Sequence, residues 1–224
     1  MESEIVNVKR GTTLRQNKSQ KLHLDINENK FNDIFLINGN FFLTKGISNS
    51  DLIIQPESYY MIINNGKTPL EIYYNQNISS HKIIYDPYKF ESSMRINLTA
   101  NYFIEKYNIP DGYIDTLPKW YSFKFSYANF NLIFLRPEFG LSIQIHNHRN
   151  EYWEILDGKP IVLNGNNLYY FAKNGTKFQN VKNTFHSVIN PNKEKGQFIL
   201  IKERWDGFFD ENDITRVFNP NHYE

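Results

Sequence analysis

The feature that most constrains the fold is a series of short apolar runs separated by turn residues. Residues 34–37 and 41–43 are apolar, and Asn38-Gly39 lies between them, which is a strong signal for a β-hairpin. The pattern recurs around Asn64-Asn65-Gly66. Aromatic residues make up 16% of the chain, and aromatic and β-branched side chains favour strands. Short strands at this spacing predict an all-β fold, as a barrel or a sandwich.

Composition excludes several classes of partner. The 25 Lys and Arg residues nearly balance the 24 Asp and Glu residues, so we expect neither a nucleic-acid partner nor a membrane partner. The chain has no cysteine, which excludes disulfides and thiolate metal ligands. No apolar run that could serve as a signal peptide follows the charged start of the chain, and we expect a cytoplasmic protein.

The middle of the chain differs from its two flanks. Residues 91–107 contain no Pro or Gly, and Met94, Leu98 and Tyr102 recur at helical spacing. We therefore predict one helix over about residues 92–107. The predicted organisation is a β-rich unit over residues 1–80, a helical linker over 81–120 and a second β-rich unit over 121–224.

The second unit contains the pattern His146-Asn147-His148, with Glu151 three residues later. Imidazole and carboxylate groups are common ligands of divalent transition metals. If this stretch is a strand, His146 and His148 lie on one face together with Gln144, because side chains alternate between faces. Glu151 then joins them through a bend or bulge. Two solvated surface histidines are the alternative interpretation.

The two units look like copies of one pattern, with the candidate ligands in the second copy only. We align residues 26–32 with 145–151, residues 36–39 with 155–158, and residues 60–64 with 186–190. In this alignment Asn27, Asn29, Asn32 and Tyr60 take the places of His146, His148, Glu151 and His186. Asn and Tyr are poor ligands for such a metal, so we expect one metal site, in residues 121–224.

The second unit resembles the cupin superfamily. The residues that carry the first cupin motif are Gly140, His146, His148, Glu151 and Gly158, and those of the second are His186 and Asn190. Residues 141–153 are most similar to the C-terminal domain of type II mannose-6-phosphate isomerases, and an acidic run over 211–216 resembles that family's end. Asn147 and Tyr152 stand where that family has histidines, and no guanylyltransferase signature is present.

The resemblance implies a bicupin, made of a degenerate metal-free cupin-like unit and a metal-binding cupin joined by the helical linker. It implies one divalent ion held by His146, His148, Glu151 and His186. Zn²⁺ is the first expectation, and Mn, Fe, Ni and Co are alternatives. A homodimer is expected by analogy with other cupins.

The implied reaction is the interconversion of mannose 6-phosphate and fructose 6-phosphate through an enediolate. Such a reaction needs a general base. Glu203 and Lys202 are the candidates, on opposite faces of the last long strand. The candidate substrate-binding residues are Gln144, Arg149, Trp153 and Arg216.

Three other functions remain open. One is a non-catalytic, metal-containing module that binds a sugar or a sugar nucleotide, and another is a different cupin enzyme, such as a dioxygenase. The third is a purely structural bicupin. The fold alone does not choose among these functions, because one fold hosts many chemistries.

Overall fold

A computed structural model describes residues 2–208, 210 and 213–221. The described residues confirm the all-β prediction. The strands of the first half are Glu2–Val6 (β1), Leu14–Gln16 (β2), Leu22–Asp25 (β3), Ile34–Asn38 (β4), Phe41–Leu43 (β5), Ile53–Ile54 (β6), Tyr59–Asn64 (β7), Leu70–Tyr74 (β8) and Lys82–Tyr85 (β9). A 3-10 helix, Glu28–Asp33, precedes β4.

The second half begins with the α-helix Ala100–Lys106 (α1). Its strands are Asp115–Pro118 (β10), Ser122–Ser126 (β11), Asn131–Leu135 (β12), Ile143–Ile145 (β13), Arg149–Asp157 (β14), Ile161–Asn164 (β15), Asn167–Tyr169 (β16), Lys177–Asn180 (β17), His186–Ile189 (β18), Ile199–Gly207 (β19) and Thr215–Phe218 (β20). None of the described helices has the length and apolar character that a membrane span requires.

Each half consists of two antiparallel sheets that enclose an apolar core. The first half has the orders β1-β8-β3-β6 and β9-β2-β7-β4-β5, and the second has β10-β11-β12-β19-β14-β17 and β20-β13-β18-β15-β16. Residues that alternate inward along the strands fill both cores, for example Leu22 and Leu24 in the first and Trp153 and Ile155 in the second. These are the two cupin-like barrels that the resemblance implied.

One sheet is continuous across both barrels. β5 pairs with β16, so the inner sheets of the two barrels join into one ten-stranded sheet. The amide of Phe42 donates to the carbonyl of Asn166, and the amide of Leu168 donates to the carbonyl of Asn40. An apolar cluster that includes Phe35 and Ile161 packs residues of the two halves against each other. The barrels are therefore connected by backbone hydrogen bonds as well as by side chains.

The predicted linker is partly incorporated into the barrels. β9 pairs with β2 and extends the first barrel past the predicted boundary at residue 80, and β10 pairs with β11 before the predicted start at 121. The helix is shorter than predicted and starts after Thr99, because the amide of Leu98 donates to the carbonyl of Lys119 and holds the chain there outside the helix. Phe103 of α1 is buried among the aromatic side chains of β11 and β12.

The strand pairing corrects the alignment of the two halves. Tyr60 does correspond to His186, since Tyr60 pairs with Arg15 as His186 pairs with Gln144. The hairpin turn Asn38-Gly39, however, corresponds to Asn164-Gly165 and not to the turn at Gly158. Residues 27, 29 and 32 lie at the 3-10 helix, so they do not replace the ligands of the second half.

The barrel strands give the correct correspondences. Leu22 pairs with Ile54 as Glu151 pairs with Asn180, and Leu24 pairs with Tyr74 as Trp153 pairs with Glu203. Asn17 follows Arg15 by two residues as His146 follows Gln144. The matched positions are Asn17 and His146, Leu22 and Glu151, Leu24 and Trp153, Tyr60 and His186, and Tyr74 and Glu203.

Candidate functional site

A cavity of about 360 Å³ lies within the second barrel. Its wall includes side chains from both sheets of that barrel, among them Gln144 of β13, Glu151 and Trp153 of β14, and Glu203 of β19. Among the described residues that line it, the acidic ones are Glu151 and Glu203. The cavity is thus a mixed polar and apolar site of the size that small-molecule pockets have.

Three of the four predicted metal ligands meet beside this cavity. His146, Glu151 and His186 are each at most 2% exposed. The Nε2 atom of His146 is 2.9 Å from Oε1 of Glu151, and Nε2 of His186 is 3.6 Å from Oε2 of Glu151. One ligand atom from each of the three residues lies within 4.8 Å of the others.

Backbone carbonyls fix the orientation of both imidazoles. Nδ1 of His146 lies against the carbonyl of Asp213, and Nδ1 of His186 is 3.2 Å from the carbonyl of Thr184. An Nδ1 atom that faces a carbonyl oxygen donates its proton to it, which leaves the Nε2 lone pair for a metal. The donor set therefore fits one divalent ion with two nitrogen ligands and one oxygen ligand, so this buried group could hold a metal.

The electrostatics of this cluster favour an ionised carboxylate. Burial raises the pKa of Glu151, but the hydrogen bond with His146 and the positive charges around it lower that pKa to about 2. Burial lowers the pKa of His186 to about 4. Burial also acts to lower the pKa of His146, but its interactions with Glu151 outweigh this effect and raise it. Glu151 is thus a carboxylate at neutral pH, as a metal ligand must be.

His148 does not join the cluster, which corrects the prediction. The described chain leaves β13 after Ile145, and the amides of Asn147 and His148 donate to the carboxylate of Asp213 at 3.0 and 2.9 Å. The His148 side chain is 66% exposed and lies 3.1 Å from the same carboxylate. The alternation of a regular strand does not apply here, because β13 ends at Ile145 and the amides of residues 147 and 148 are bound by Asp213.

Arg149 is the next residue whose side chain points inward. Its Nε and Nη2 atoms are each 3.0 Å from Oε1 of Glu151, and Nη2 is 3.2 Å from Nε2 of His146. Its Nη1 donates to the carbonyl of Asp210 at 2.7 Å. Arg149 is 4% exposed. The predicted substrate-binding residue is therefore engaged with a candidate ligand, although it also lines the cavity.

Trp153 connects the two carboxylates of the cavity. Its Nε1 atom is 3.2 Å from Oε2 of Glu151 and 3.2 Å from Oε2 of Glu203. The side chain is 3% exposed, and its ring meets His186 edge to face. Trp153 does line the cavity, but it is mostly buried, and its N–H group holds the two carboxylates near each other rather than presenting an open stacking surface.

Glu203 is the predicted general base that points inward. It is 8% exposed, and the Nδ2 atom of Asn131 donates to its Oε1 at 2.7 Å. Burial, together with the negative charge of Glu151, raises the pKa of Glu203 to about 7. A carboxyl group with this pKa takes up and releases a proton near neutral pH.

Lys202 lies on the opposite face of β19, which corrects its prediction as a catalytic residue. Its Nζ atom lies 4.4 Å from the centre of the Phe130 ring, on the outer surface of the sheet. Neighbouring residues of a strand point to opposite faces, so the inward position of Glu203 places Lys202 outside the cavity.

Gln144 and Arg216 form part of a row of side chains across the inner sheet. Arg216 pairs with Gln144, and Gln144 pairs with His186. The Nε2 atom of Gln144 is 3.3 Å from Nε2 of His146 and 3.5 Å from Nε2 of His186, and its Oε1 accepts from Ser142. Arg216 is exposed and lines the cavity. Glu211 and Asn212 of the predicted acidic run lie outside the described residues.

Several cavity residues were missed in the sequence. Lys119, Ser122 and Lys124 line the cavity, the first from the turn before β11 and the other two from β11 itself. The carboxylate of Asp213 accepts a hydrogen bond from the amide of His148. The strand over 121–127 was predicted, and its alternation of Ser122, Lys124 and Ser126 with phenylalanines could have marked a polar inner face. No local pattern pointed to Asp213, because its partners are more than sixty residues away in the chain.

Comparison with known families supports the resemblance. Residues 110–219 match the family model described as mannose-6-phosphate isomerase C-terminal. The match begins before β10 and ends after β20, so it covers the second barrel and its cavity. The second half of this chain thus resembles the C-terminal cupin domain of that family. No curated protein sequence matches the chain.

The search of solved structures found matches at low sequence identity. CapF, solved with the inhibitor 3-isopropenyl-tropolone, is 12% identical over 56% of this chain and 35% of its own, with a TM-score of 0.36. A cupin 2 conserved barrel domain protein from Leptotrichia buccalis is 12% identical over 92% and 82%, with a TM-score of 0.32. Oxalate decarboxylase from Bacillus subtilis is 8% identical over 96% and 71%, with a TM-score of 0.34. This chain spans about a third of the length of CapF.

Proposed function

We propose that this protein is a metal-dependent aldose–ketose isomerase that interconverts mannose 6-phosphate and fructose 6-phosphate. The family match over residues 110–219 supports the substrate class. The observation that carries the proposal is the placement of Glu203 inside the cavity, linked through the Trp153 N–H group to Glu151 of the His146, Glu151 and His186 cluster.

The proton transfer is assigned to Glu203. Its carboxylate removes the proton from C2 of the aldose. The C2–H electron pair becomes the C1=C2 double bond, and the π pair of the C1 carbonyl moves onto O1, which gives the enediolate. Return of that proton to C1, with transfer of the O2 proton to O1, gives the ketose. Asn131 and Trp153 each donate a hydrogen bond to Glu203, so its carboxylate is held in one orientation. A base with a pKa near 7 suits both the removal and the return of the proton.

His146, Glu151 and His186 would hold the metal. When bound, a divalent ion stabilises the negative charge that develops on the oxygens of C1 and C2. Zn²⁺ fits the mixed nitrogen and oxygen donors, and Mn, Fe, Ni and Co accept the same donors. Gln144 lies within hydrogen-bonding distance of both imidazoles and can orient a substrate hydroxyl there.

The test is a coupled assay for fructose 6-phosphate formed from mannose 6-phosphate, with purified protein and each of these metals added separately. We expect turnover that a chelator abolishes. Glu203→Gln should reduce kcat by about 10²–10⁴-fold, because that is the usual contribution of a general base. The matched control is Lys202→Met, one residue away on the outer face, which should leave kcat unchanged. Absence of turnover with every metal, in a folded sample, would refute the proposal.

A second function is favoured by one observation, the position of Arg149. Its guanidinium already supplies a positive charge to Glu151 and approaches His146. A charge-balanced cluster of this kind is also compatible with the binding module, which holds a sugar or sugar phosphate without turnover. Calorimetry on chelator-treated protein distinguishes the two functions, since binding of mannose 6-phosphate with no product formed after metal is restored would select the binding module.

A further inference from the structure

The loop that follows His146 is fixed by hydrogen bonds from two distant parts of the chain. The carbonyl of His146 accepts from the amide of Asn183 at 2.7 Å. The amides of Asn147 and His148 donate to the two carboxylate oxygens of Asp213, at 3.0 and 2.9 Å. The Asp213 side chain is 3% exposed, and hydrogen bonds are stronger in such a buried setting than in water. These bonds therefore hold the loop backbone in one orientation.

The last residue of β19 holds the same loop from its other side. Gly207 pairs with Arg149, and its φ is +94°. A Cβ atom at this position would lie 2.5 Å from the carbonyl oxygen of His148. Glycine is the residue that adopts this backbone conformation and this close approach without strain. The backbone of His148 is thus held between Gly207 and the carboxylate of Asp213.

This backbone path decides which side chain points inward. The His148 side chain is 66% exposed, and its Nδ1 atom is 3.1 Å from Oδ1 of Asp213. Arg149 points inward instead, with Nη2 at 3.2 Å from Nε2 of His146 and 3.0 Å from Oε1 of Glu151. A regular continuation of β13 would place both histidines on one face, because side chains alternate. The loop thus presents a guanidinium to the cluster and turns the second imidazole away.

The same aspartate orients the histidine that does join the cluster. Nδ1 of His146 lies against the carbonyl of Asp213. A carbonyl in this position fixes the imidazole ring and leaves Nε2 for a metal. Asp213 therefore directs His146 to the cluster and holds His148 away from it. A site with three protein ligands keeps a coordination position for substrate or water, as catalytic metal sites do.

We propose that Asp213 is a positioning residue that sets the number of protein ligands at the metal site, by keeping His148 out of a ligand set formed by His146, Glu151 and His186. This inference rests on the metal site of the proposed function, and it adds the residue that keeps the coordination of the ion open. Without the Asp213 carboxylate, the loop can continue β13 as a regular strand, which brings His148 to the ion as a fourth ligand.

The first test counts the histidines on the ion. X-ray absorption spectroscopy is carried out on Zn²⁺-loaded wild type, Asp213→Asn and Asp206→Asn. An asparagine side chain has one acceptor oxygen, and its NH₂ group cannot accept from the second amide. We expect two imidazole ligands in the wild type and three in Asp213→Asn. Asp206→Asn, which removes a carboxylate bound to Asn150 and Tyr152 instead of this loop, should resemble the wild type.

The second test is a double-mutant cycle on Zn²⁺ affinity, measured by competition with a chromophoric chelator. His148→Ala should leave the Kd of the wild type unchanged. In the Asp213→Asn background it should weaken binding roughly 10-fold or more, because loss of even an outer partner of a metal ligand costs about 10–100-fold. If Asp213 only stabilised the loop, Asp213→Asn would bind Zn²⁺ more weakly, but His148→Ala would have no effect in either background.

The outcomes distinguish this inference from the isomerase proposal. Three imidazole ligands in the wild type would overturn it, and that count does not depend on the folding of any variant. Equal counts in the wild type and a folded Asp213→Asn, or a wild type that binds no Zn²⁺, would also overturn it. Two imidazole ligands that become three in Asp213→Asn, without turnover of mannose 6-phosphate by the wild type, would support the role of Asp213 and refute the isomerase. Turnover by a wild type with three imidazole ligands would do the reverse.

Discussion

The two barrels of this chain share a framework but differ in what fills them. Where the second barrel has Glu151 and Glu203, the first has Leu22 and Tyr74 at the matched positions. These first-barrel side chains are buried in one apolar cluster. The framework of the first barrel thus folds around apolar residues at these positions, so the buried charges of the second barrel are not required by the fold. Buried charges seldom improve stability over apolar residues, and their presence indicates a function.

Some polar residues are the same in both barrels, and these have a structural role. The side chain of Asn64 donates to the carbonyls of Val6 and Thr68, and that of Asn190 donates to the carbonyls of Leu135 and Gln197. Both asparagines are 1% exposed. An asparagine retained in both barrels with equivalent partners satisfies buried backbone groups. Asn64 and Asn190 are thus structural polar residues, unlike Glu151 and Glu203, which occur only in the second barrel.

The largest effect is expected when the second barrel is given the residue of the first. Glu151→Leu, copied from Leu22, should abolish metal binding and destabilise the metal-free protein by about 3–5 kcal/mol, because it leaves the Arg149 guanidinium buried without its carboxylate. Urea unfolding of chelator-treated protein and metal analysis measure the two effects.

Two further variants make that result specific. Arg149→Met/Glu151→Leu removes both charges and should regain most of the lost stability. Glu154→Gln, on the same strand but outside the metal cluster, should retain metal binding and wild-type stability. If Glu151→Leu alone is as stable as the wild type, the buried charges of Arg149 and Glu151 do not depend on each other.

The next effect is a pH dependence that arises from Glu203 of the second barrel. Because burial raises the pKa of Glu203 to about 7 from its ordinary 4.5, the folded protein binds this proton more tightly than the unfolded chain does. The resulting stability is fully present below about pH 4.5 and is lost as the pH rises through about 7. Each pKa unit corresponds to about 1.4 kcal/mol, so the loss amounts to about 3 kcal/mol.

Urea unfolding of metal-free protein between pH 4.5 and 8 measures this dependence. Glu203→Gln, which cannot ionise, should lack it, and the free-energy difference between variant and wild type should therefore change by about 3 kcal/mol over the range. The difference between the two profiles therefore reports the Glu203 carboxyl together with its electrostatic interaction with Glu151. Parallel pH profiles of the two proteins would show that Glu203 is not perturbed.

A smaller effect should be equal in the two barrels. Asn64→Ala and Asn190→Ala should each reduce the free energy of unfolding by about 1–3 kcal/mol, since each leaves two buried carbonyls without their donor. Chemical denaturation measures both. Metal affinity should be unchanged in Asn64→Ala. A large difference between the two variants in stability would mean that the barrels do not share this structural element.

The smallest effect concerns the histidine that the sequence assigned to the site. His148→Ala should alter stability by no more than about 0.5 kcal/mol, because its side chain is on the surface. Its metal affinity, measured by calorimetry, should equal that of the wild type, whereas His146→Ala should lose metal binding. Equal losses in the two variants would restore His148 as a ligand and contradict the geometry.

The sequence predicted most of the fold, because strand alternation and Asn-Gly turns are local signals. It also predicted the residue types of the site and three members of the histidine and glutamate cluster. His148 was assigned wrongly because its orientation depends on Asp213, a contact between distant parts of the chain. The internal alignment failed because two similar turns, at Gly158 and Gly165, follow each other closely, and only strand pairing identifies the second as the counterpart of Gly39.

The sequence alone could not decide whether Glu203 or Lys202 points into the barrel. Alternation required the two residues to face opposite ways, but which one faced inward depended on the packing of β19 between β12 and β14. Neither residue type decides it, since burial of either charge is costly without partners. Asn131 and Trp153 supply those partners for Glu203, and they come from two other strands.

The backbone pairing of β5 with β16 covers one edge strand of the second barrel at any protein concentration. Each of these strands would otherwise leave a row of unpaired amides and carbonyls, which invites association with other chains. Here one chain supplies both strands, so their pairing is intramolecular and does not weaken as protein concentration falls. The first barrel therefore covers the β16 edge of the second barrel within the same molecule. This edge stays paired in dilute solution, without a second molecule.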